Sequence, residues 1–382
     1  MAEMEGVISV FKSKTLRLHT TRSWDFMGLT LGYTEVTPLQ LAYGDDIIVG
    51  IFDTGIWPES DSFREEPGMG PVPKSWKGKC IGGEQFDPKT ACNRKLIGAR
   101  YYLKGFELEY GSLNASGNSE YRSARDFLGH GTHTASTAVG SIVRNASFLG
   151  FGQGTARGGA PRARLAMYKI CWNKQLDGRC TEADILAAFD DALHDGVDVI
   201  SASFGGTPPF APFFASNADI GSFHAMQFGV SVVFSAGNDG PNPAVVGNVS
   251  PWSLCVAASS IDRTFPTRIL LDNKISFMGE SLVTKQINAR LVGASTYFVG
   301  GVCKSENWKK RSAIGRLILC FSTVGSVMSG EAEAAAWKAN ASGLIFVEPL
   351  TRQIADVDVI PVVRVDIIQG TKIGHYLAQS FK

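Results

Sequence analysis

The sequence lacks both a charge imbalance and a long apolar run. Its 382 residues contain 37 lysines and arginines against 36 aspartates and glutamates, a formal net charge of +1. No basic field is therefore present that would favour nucleic acid as the main partner. No apolar run reaches the roughly 20 residues of a membrane helix, since the best runs, Ile47–Phe52 and Val230–Phe234, have the length of strands. We expect neither a nucleic-acid-binding nor a membrane-spanning protein.

The first residues, MAEMEGVISVFKSK, have no apolar stretch of the kind found in secretory signals. Alone, this favours the cytoplasm, whereas the seven cysteines favour an oxidising compartment. Three pairs close short segments and indicate disulfides, although zinc ligands and unpaired core cysteines are alternatives. The spacings do not match the Cys-x₂₋₄-Cys of structural zinc sites. The pairs are Cys80 with Cys92, Cys171 with Cys180, and Cys303 with Cys320.

The seventh cysteine, Cys255, lies in the apolar segment SLCVAAS and is expected to be a buried thiol. Candidate glycosylation sites at Asn114, Asn145 and Asn340 agree with secretion, but such motifs often arise by chance. A fourth, at Asn248, is followed after its serine by Pro251 and is expected to be a poor acceptor. We therefore favour a secreted protein whose signal peptide is missing from this sequence.

Apolar β-branched runs alternate with helical patterns from about residue 20 to residue 280. Residues 47–52, 164–170 and 197–204 form buried strands by this pattern, and residues 181–196 form a helix capped by Thr181 and ended by Gly196. A further helix and strand follow at 220–229 and 230–237. This order predicts an α/β fold, a parallel sheet with helices on both faces.

From about residue 281 the pattern changes to short strands around one helix at 331–340. We expect a smaller α+β domain of about 100 residues over 281–382, after a larger domain over 20–280.

Asp53 follows a buried strand and comes just before a glycine turn, in IIVGIFDTGIWPES. The carboxyl end of a parallel strand is where α/β proteins build their sites. A turn-capping role is the simpler interpretation. An aspartic protease, which also uses Asp-Thr-Gly, needs a second carboxylate, and the sequence has no second Asp-Thr-Gly or Asp-Ser-Gly.

His130 lies in RDFLGHGTHTASTAVGS, where small residues permit a closely packed helix that begins near it. A buried structural histidine is the alternative, and a metal pair is disfavoured because His-Glu-x-x-His is absent. Asn238 follows a strand in VVFSAGNDGPN. Its amide could face an oxyanion, or the segment could be an ordinary turn.

Taken together and in this order, these segments resemble the plant subtilisin-like serine proteases (subtilases), in which the triad order is Asp, His, Ser. LHTTRSWDFMGL, WPESDSF, CNRKLIGARYY and GGAPRARLAMYKICW add to the resemblance. It implies that Asp53 is the triad aspartate, His130 the general base and Asn238 the oxyanion-hole amide. It assigns the substrate-pocket walls to two segments, Ser203, Phe204 and Gly205 in the first and Ser235, Ala236 and Gly237 in the second.

The resemblance also implies that residues 1–19 are the remnant of an inhibitory propeptide cut near His19–Thr20. It further implies a secreted, apoplastic parent that acts on proteins or peptides. We assign no cofactor, and no metal because the sequence shows no acidic loop of the calcium-binding type. Residues 281–382 would be a protease-associated (PA) domain, through which the protein could self-associate.

The Gly-Thr-Ser motif that carries the family's nucleophile does not occur in the sequence. Because loss of the nucleophile abolishes most catalysis in such enzymes, we expect these 382 residues to be inactive as they stand. The alternative is a non-enzymatic protein that binds peptides or proteins through its cleft or its PA domain. A third option, an unrelated cytoplasmic binding protein, requires the paired cysteines to be reduced.

Overall fold

The computed structural model describes residues 22–29, 43–113, 119–174, 177–240, 243–349 and 357–379. The predicted propeptide remnant (1–19), its cut near His19–Thr20 and the candidate site at Asn114 lie outside this part of the chain. The chain divides into two compact units, Met1–Ile261 and Asp262–Lys382.

The described part of the first unit contains ten strands and six helices. The strands are β1 (Ile48–Asp53), β2 (Leu96–Tyr101), β3 (Val143–Phe148), β4 (Phe151–Ala156), β5 (Arg164–Lys169), β6 (Cys171–Lys174), β7 (Asp177–Cys180), β8 (Val199–Ala202), β9 (Ser231–Ser235) and β10 (Leu254–Val256). The helices are α1 (Arg22–Phe26), α2 (Pro88–Ala91), α3 (Lys104–Tyr110), α4 (His130–Val139), α5 (Glu182–Asp195) and α6 (Asn217–Gln227).

Six strands form one parallel sheet in the order β10-β9-β8-β1-β5-β2. All six residues of β1 are buried because helices cover both faces. On one face Phe52 packs against Phe189 of α5, with ring centroids 4.9 Å apart. On the other face Val49 and Ile51 share a core with Ala135 of α4. The predicted α/β arrangement is confirmed.

Helix α5 runs inside the predicted bounds, with Thr181 at its N-terminal boundary and Gly196 (φ +90°) at its C-terminal one. Two antiparallel hairpins, β3–β4 and β6–β7, were not predicted. In the second hairpin Cys171 lies opposite Cys180, and the two are joined by a disulfide.

The second unit has a mixed sheet in the order β11-β12-β16-β15-β14-β13 and helices on it. Its elements are β11 (Pro266–Leu270), β12 (Ser276–Glu280), β13 (Arg290–Gly293), β14 (Arg316–Phe321), α7 (Ser329–Lys338), β15 (Gly343–Glu348), β16 (Val362–Asp366) and α8 (Ile367–Gln379).

The boundary between the units lies after Ile261, about 20 residues before the predicted one. The reason is that β12 pairs with β16, at Glu280 and Arg364, so the hairpin β11–β12 belongs to the second sheet. Hairpin strands give no local signal of which distant strand they will join.

The cysteines pair as expected, and the structure contains the disulfides Cys80–Cys92, Cys171–Cys180 and Cys303–Cys320. The prediction of a buried Cys255 is wrong, because its thiol is free and exposed. The cause is its place on β10, whose one partner among the described strands is β9 and whose three residues are all exposed. Among the described helices, none has the length and apolar character to cross a membrane.

Candidate active site

The carboxylate of Asp53 is buried at the carboxyl end of β1, between β5 and β8 in the sheet. Its Oδ1 accepts a hydrogen bond from the Thr54 backbone N–H at 2.7 Å, and it lies 2.6 Å from His130 Nδ1. Its Oδ2 accepts a hydrogen bond from the hydroxyl of Thr134 at 2.9 Å. These contacts fix the plane of the carboxylate and direct one oxygen at the imidazole.

Helix α4 brings His130 to Asp53 through an unusually close approach of two backbones. A β-carbon at Gly131 would lie 2.2 Å from the carbonyl oxygen of Gly55, so only glycine permits this contact. The Gly131 N–H donates a hydrogen bond to the Thr54 hydroxyl at 2.8 Å. Gly129, just before the helix, has φ +88°, a conformation that glycine adopts without strain. The run of small residues therefore positions the imidazole.

Asp126 organises the start of the same helix, and its carboxylate is also buried. It accepts hydrogen bonds from the Thr54 hydroxyl (2.9 Å), the Gly129 N–H (2.9 Å), and both the N–H (2.8 Å) and hydroxyl (2.6 Å) of Thr132. A carboxylate at a helix N-terminus satisfies free N–H groups there. It thereby ties the helix to the turn after β1.

The imidazole of His130 combines a buried partner with an exposed face. The hydrogen bond to Asp53 raises its pKa above the ordinary value, and the charges of Asp53 and Asp126 act in the same direction, while burial opposes them. The side chain is 52% exposed, against 2% for that of Asp53. Because the acceptor is a carboxylate, Nδ1 carries the proton, and Nε2 is the nitrogen free to accept one.

The predicted pocket segments follow β8, which is next to β1 in the sheet, and β9, which is next to β8. Ser203, Phe204 and Gly205 come after β8, and Ser235, the last residue of β9, precedes Ala236 and Gly237. The ladder between β8 and β9 ends at Ala202 opposite Phe234, after which the two segments are free to separate. Both lie at the carboxyl edge of the sheet, the edge that carries Asp53.

Asn238 lies three residues after β9 and is exposed. The turn before it depends on Gly237, whose φ is +92°. In the sheet, β9 is two positions from β1, about 10 Å at the usual strand spacing. The structure thus joins Asp53 and His130 directly and leaves Asn238 on the same sheet edge.

Four residues that the sequence did not single out take part in this arrangement: Thr54, Asp126, Thr132 and Thr134. Asp126 had a usable signal, since an aspartate shortly before a helical run indicates a capping position. The hydroxyls of Thr54 and Thr134 had none, because the carboxylates to which they donate, Asp126 and Asp53, are 72 and 81 residues away in the chain.

The candidate glycosylation sites differ in their surroundings. Asn145 on β3 and Asn340 after α7 are exposed. The amide nitrogen of Asn248 instead donates to two backbone carbonyls, Phe204 O at 2.9 Å and Ser235 O at 2.8 Å.

Comparison with known proteins identifies the family. The profile of the subtilase family (Peptidase_S8) matches residues 44–350. The subtilisin-like protease SBT3.18 of Arabidopsis thaliana is 64% identical over 384 residues, which cover 100% of this chain and 49% of that protein. SBT3.9 of the same plant is 40% identical over 390 residues, covering 100% of this chain and 50% of its own.

Among solved structures, the prenylagaramide maturation protease PagA aligns with 61% of this chain and 62% of its own, at 16% identity and a TM-score of 0.35. The chain spans about half the length of the curated relatives it matches. The family match covers most of the residues, including both members of the Asp53–His130 pair. The chain therefore belongs to the subtilase family.

Proposed function

We propose that this chain supplies the aspartate, the general base and the oxyanion donor of a subtilisin-type serine endopeptidase. The observation that carries the proposal is the 2.6 Å contact between His130 Nδ1 and Asp53 Oδ1. A buried carboxylate beneath a half-exposed imidazole is the arrangement that a serine-activating base requires. The similarity to plant subtilisin-like proteases supports the same reaction class.

In this mechanism Asp53 holds the tautomer of His130 that has its proton on Nδ1 and stabilises the imidazolium once it forms. His130 Nε2 removes the proton from the attacking serine and later delivers it to the leaving amine. The amide of Asn238, with a backbone N–H, stabilises the tetrahedral oxyanion. Ser203–Gly205 and Ser235–Gly237 form the walls that receive a peptide side chain.

The 382 residues contain no Gly-Thr-Ser, so we propose that they do not hydrolyse peptides by themselves. In a subtilisin, removal of the nucleophile lowers kcat about 10⁶-fold, which leaves no useful turnover. The activity belongs to a chain in which a serine-bearing segment is added to this one.

The remaining parts of the proposal concern the protein outside the site. Residues 1–19 are the end of a propeptide that inhibits the enzyme, and the second unit is a PA domain that could mediate self-association. The parent enzyme acts on proteins or peptides outside the cell, which agrees with three disulfides in the described residues.

The test joins this chain to the C-terminal half of SBT3.18 and measures hydrolysis of a fluorogenic peptide. We expect turnover that a fluorophosphonate blocks, and loss of it in the variants His130→Ala and Asp53→Asn. The 382-residue chain alone should give none. A chimera whose turnover survives His130→Ala would contradict the assignment of the base, and fluorophosphonate-sensitive turnover by the chain alone would contradict its predicted inactivity.

A further inference from the structure

Asn248 links the two segments that follow β8 and β9. Its amide nitrogen donates one hydrogen bond to Phe204 O at 2.9 Å and another to Ser235 O at 2.8 Å. The strand ladder between these segments ends at Ala202 and Phe234. One side-chain amide therefore continues the connection beyond the point where the backbones stop pairing.

The backbone around Asn248 is itself fixed. The Gly247 N–H donates to Ala236 O at 3.0 Å, and Gly247 O accepts a hydrogen bond from the thiol of Cys255 at 3.3 Å. Asn248 has φ +54°, in the left-handed region that asparagine tolerates better than most residues. The amide is thus presented from a loop that hydrogen bonds attach to the second segment and to β10.

The contact is also close. A β-carbon at Gly205 would lie 3.2 Å from Asn248 Nδ2, so a residue larger than glycine at this position would crowd the amide. An asparagine offers two N–H donors on one nitrogen, which is the number that two carbonyls need. Aspartate has the same shape but no donor, and its charge would face two carbonyl oxygens.

We propose that Asn248 is a positioning residue that sets the distance between the segments Ser203–Gly205 and Ser235–Gly237, and through it the side chains that the cleft accepts. This inference rests on the proposed function, because it takes the two segments to be the walls of a peptide-binding pocket. The ligand class is an apolar side chain of an extended peptide. The same contacts leave Asn248 without a free amide for glycosylation.

The test compares the full 382-residue chain with the variants Asn248→Gly and Asn248→Asp. Two blocked pentapeptides that differ in one residue, Phe or Ala, are titrated into each protein by calorimetry. We expect the ratio of the two Kd values to change by roughly fivefold or more, because pocket dimensions govern such discrimination. A loss of general stability would weaken both peptides equally and leave the ratio unchanged.

Asn340 provides the matched control, since it is exposed and has φ +58°. Asn340→Gly and Asn340→Asp should leave the ratio as it is. Hydrogen exchange gives a second measurement that needs no peptide: the amides of 203–206 and 235–238 should exchange faster in Asn248→Gly than in the parent chain. Glycine accepts the left-handed backbone, so this variant keeps the test usable if Asn248→Asp does not fold.

The outcomes separate the two proposals. If the parent chain binds both peptides and neither the ratio nor the exchange of the two segments changes in Asn248→Gly, the inference about Asn248 is wrong while the proposed function stands. If the parent chain binds neither peptide, the pocket assignment fails, and the specificity role of Asn248 fails with it.

Discussion

At the residue scale, the proposed function depends on the strength of the hydrogen bond between the Asp53 carboxylate and the His130 imidazole. Asp53 contacts His130 Nδ1, and the negative charge of Asp126 also raises the pKa of His130. Thr134 and the Thr54 N–H hold Asp53 in place. The pKa of His130 is therefore a direct report on the pair, and it can be measured without any serine.

We predict that Asp53→Asn lowers the pKa of His130. The hydrogen bond to Asp53 is the largest cause of the raised value, and an amide neither carries the charge nor stabilises the imidazolium. The measurement is an NMR titration of the imidazole C–H resonances in the 382-residue chain, with the other histidines as internal controls. An unchanged titration of His130 would mean that the pair is not formed in solution.

The same pair has a consequence for stability. A histidine whose folded-state pKa is raised stabilises the folded state below its unfolded-state pKa, and this contribution is lost as the pH rises through the folded-state value. The contribution of His130 and Asp53 to stability should therefore be present just below the unfolded-state pKa of histidine, roughly 6.5, and be lost as the pH rises through the raised folded-state pKa. Asp53→Asn should remove this acid-side contribution.

Lys95 should make the free energy of unfolding depend on pH in the opposite direction. Its side chain is fully buried and donates to Pro161 O (2.8 Å) and Ala163 O (2.7 Å). Burial lowers its pKa to about 7, against roughly 10.4 for an unfolded chain. Between these values the unfolded state binds more protons, so the free energy of unfolding should rise with pH, by up to about 1.4 kcal/mol per pH unit.

We predict that Lys95→Met flattens this rise between pH 7 and 9.5. Urea unfolding at several pH values measures it as the difference between variant and parent, which cancels the other titrating groups. Lys89→Met, at an exposed position on α2, is the control and should keep the parent slope. A Lys95→Met slope equal to that of the parent would show that Lys95 stays protonated when buried.

The sequence singled out Asp53 at a strand end and His130 at a helix start, and the family resemblance supplied their roles, which stay a prediction. Short loops predicted the three disulfides, which the structure contains. The sequence did not identify Thr134 or the amide of Asn248. Their hydrogen-bond partners are set by tertiary contacts over 81, 44 and 13 residues. Cys255 was wrongly placed because an apolar strand looks the same at the edge of a sheet as in its centre.

At the scale of elements, the site forms because α4 packs closely against the turn after β1. Gly131 is the second residue of α4 and contacts the backbone of Gly55. Since the obstacle is backbone and not a movable side chain, a larger residue must displace the helix. His130, one residue earlier, would move with it.

We predict that Gly131→Ala lowers the free energy of unfolding by about 1–3 kcal/mol and lowers the pKa of His130 as the contact with Asp53 lengthens. Gly330 is the matched control, since it is the second residue of α7 and a β-carbon there meets nothing within 4 Å. Gly330→Ala should be neutral or stabilising by up to about 1 kcal/mol. Urea unfolding and the histidine titration measure both effects, and equal behaviour of the two variants would contradict the close-approach argument.

The helices were predicted better than the hairpins for a physical reason. Helix α5 shows its period of buried residues and its terminal glycine within 16 positions. The hairpin β3–β4 has no buried residue and so has no apolar alternation to reveal it. The hairpin β11–β12 was assigned to the wrong unit because its partner β16 is more than 80 residues later.

At the scale of the whole molecule, each unit has a core of its own. The first unit contains two large apolar clusters. One includes Phe52 and Phe189, and the other includes Ile51 and Leu165. The second unit also contains two clusters. One includes Phe346 together with Cys303 and Cys320, and the other includes Val347. Units with separate cores are expected to unfold as separate cooperative units.

We predict that the double variant Cys303→Ala/Cys320→Ala destabilises the second unit alone. A bridge between residues 17 apart in the sequence stabilises by about 3 kcal/mol through loop entropy. Native-state hydrogen exchange should show faster exchange in β14 and β15 and no change in β1 and β5. The reciprocal variant, Cys171→Ala/Cys180→Ala, breaks a bridge of the first unit and should show the reverse pattern. If either variant lowers protection in both units to the same extent, the chain unfolds as one cooperative body, and the stability of the Asp53–His130 pair depends on the second unit as well as the first.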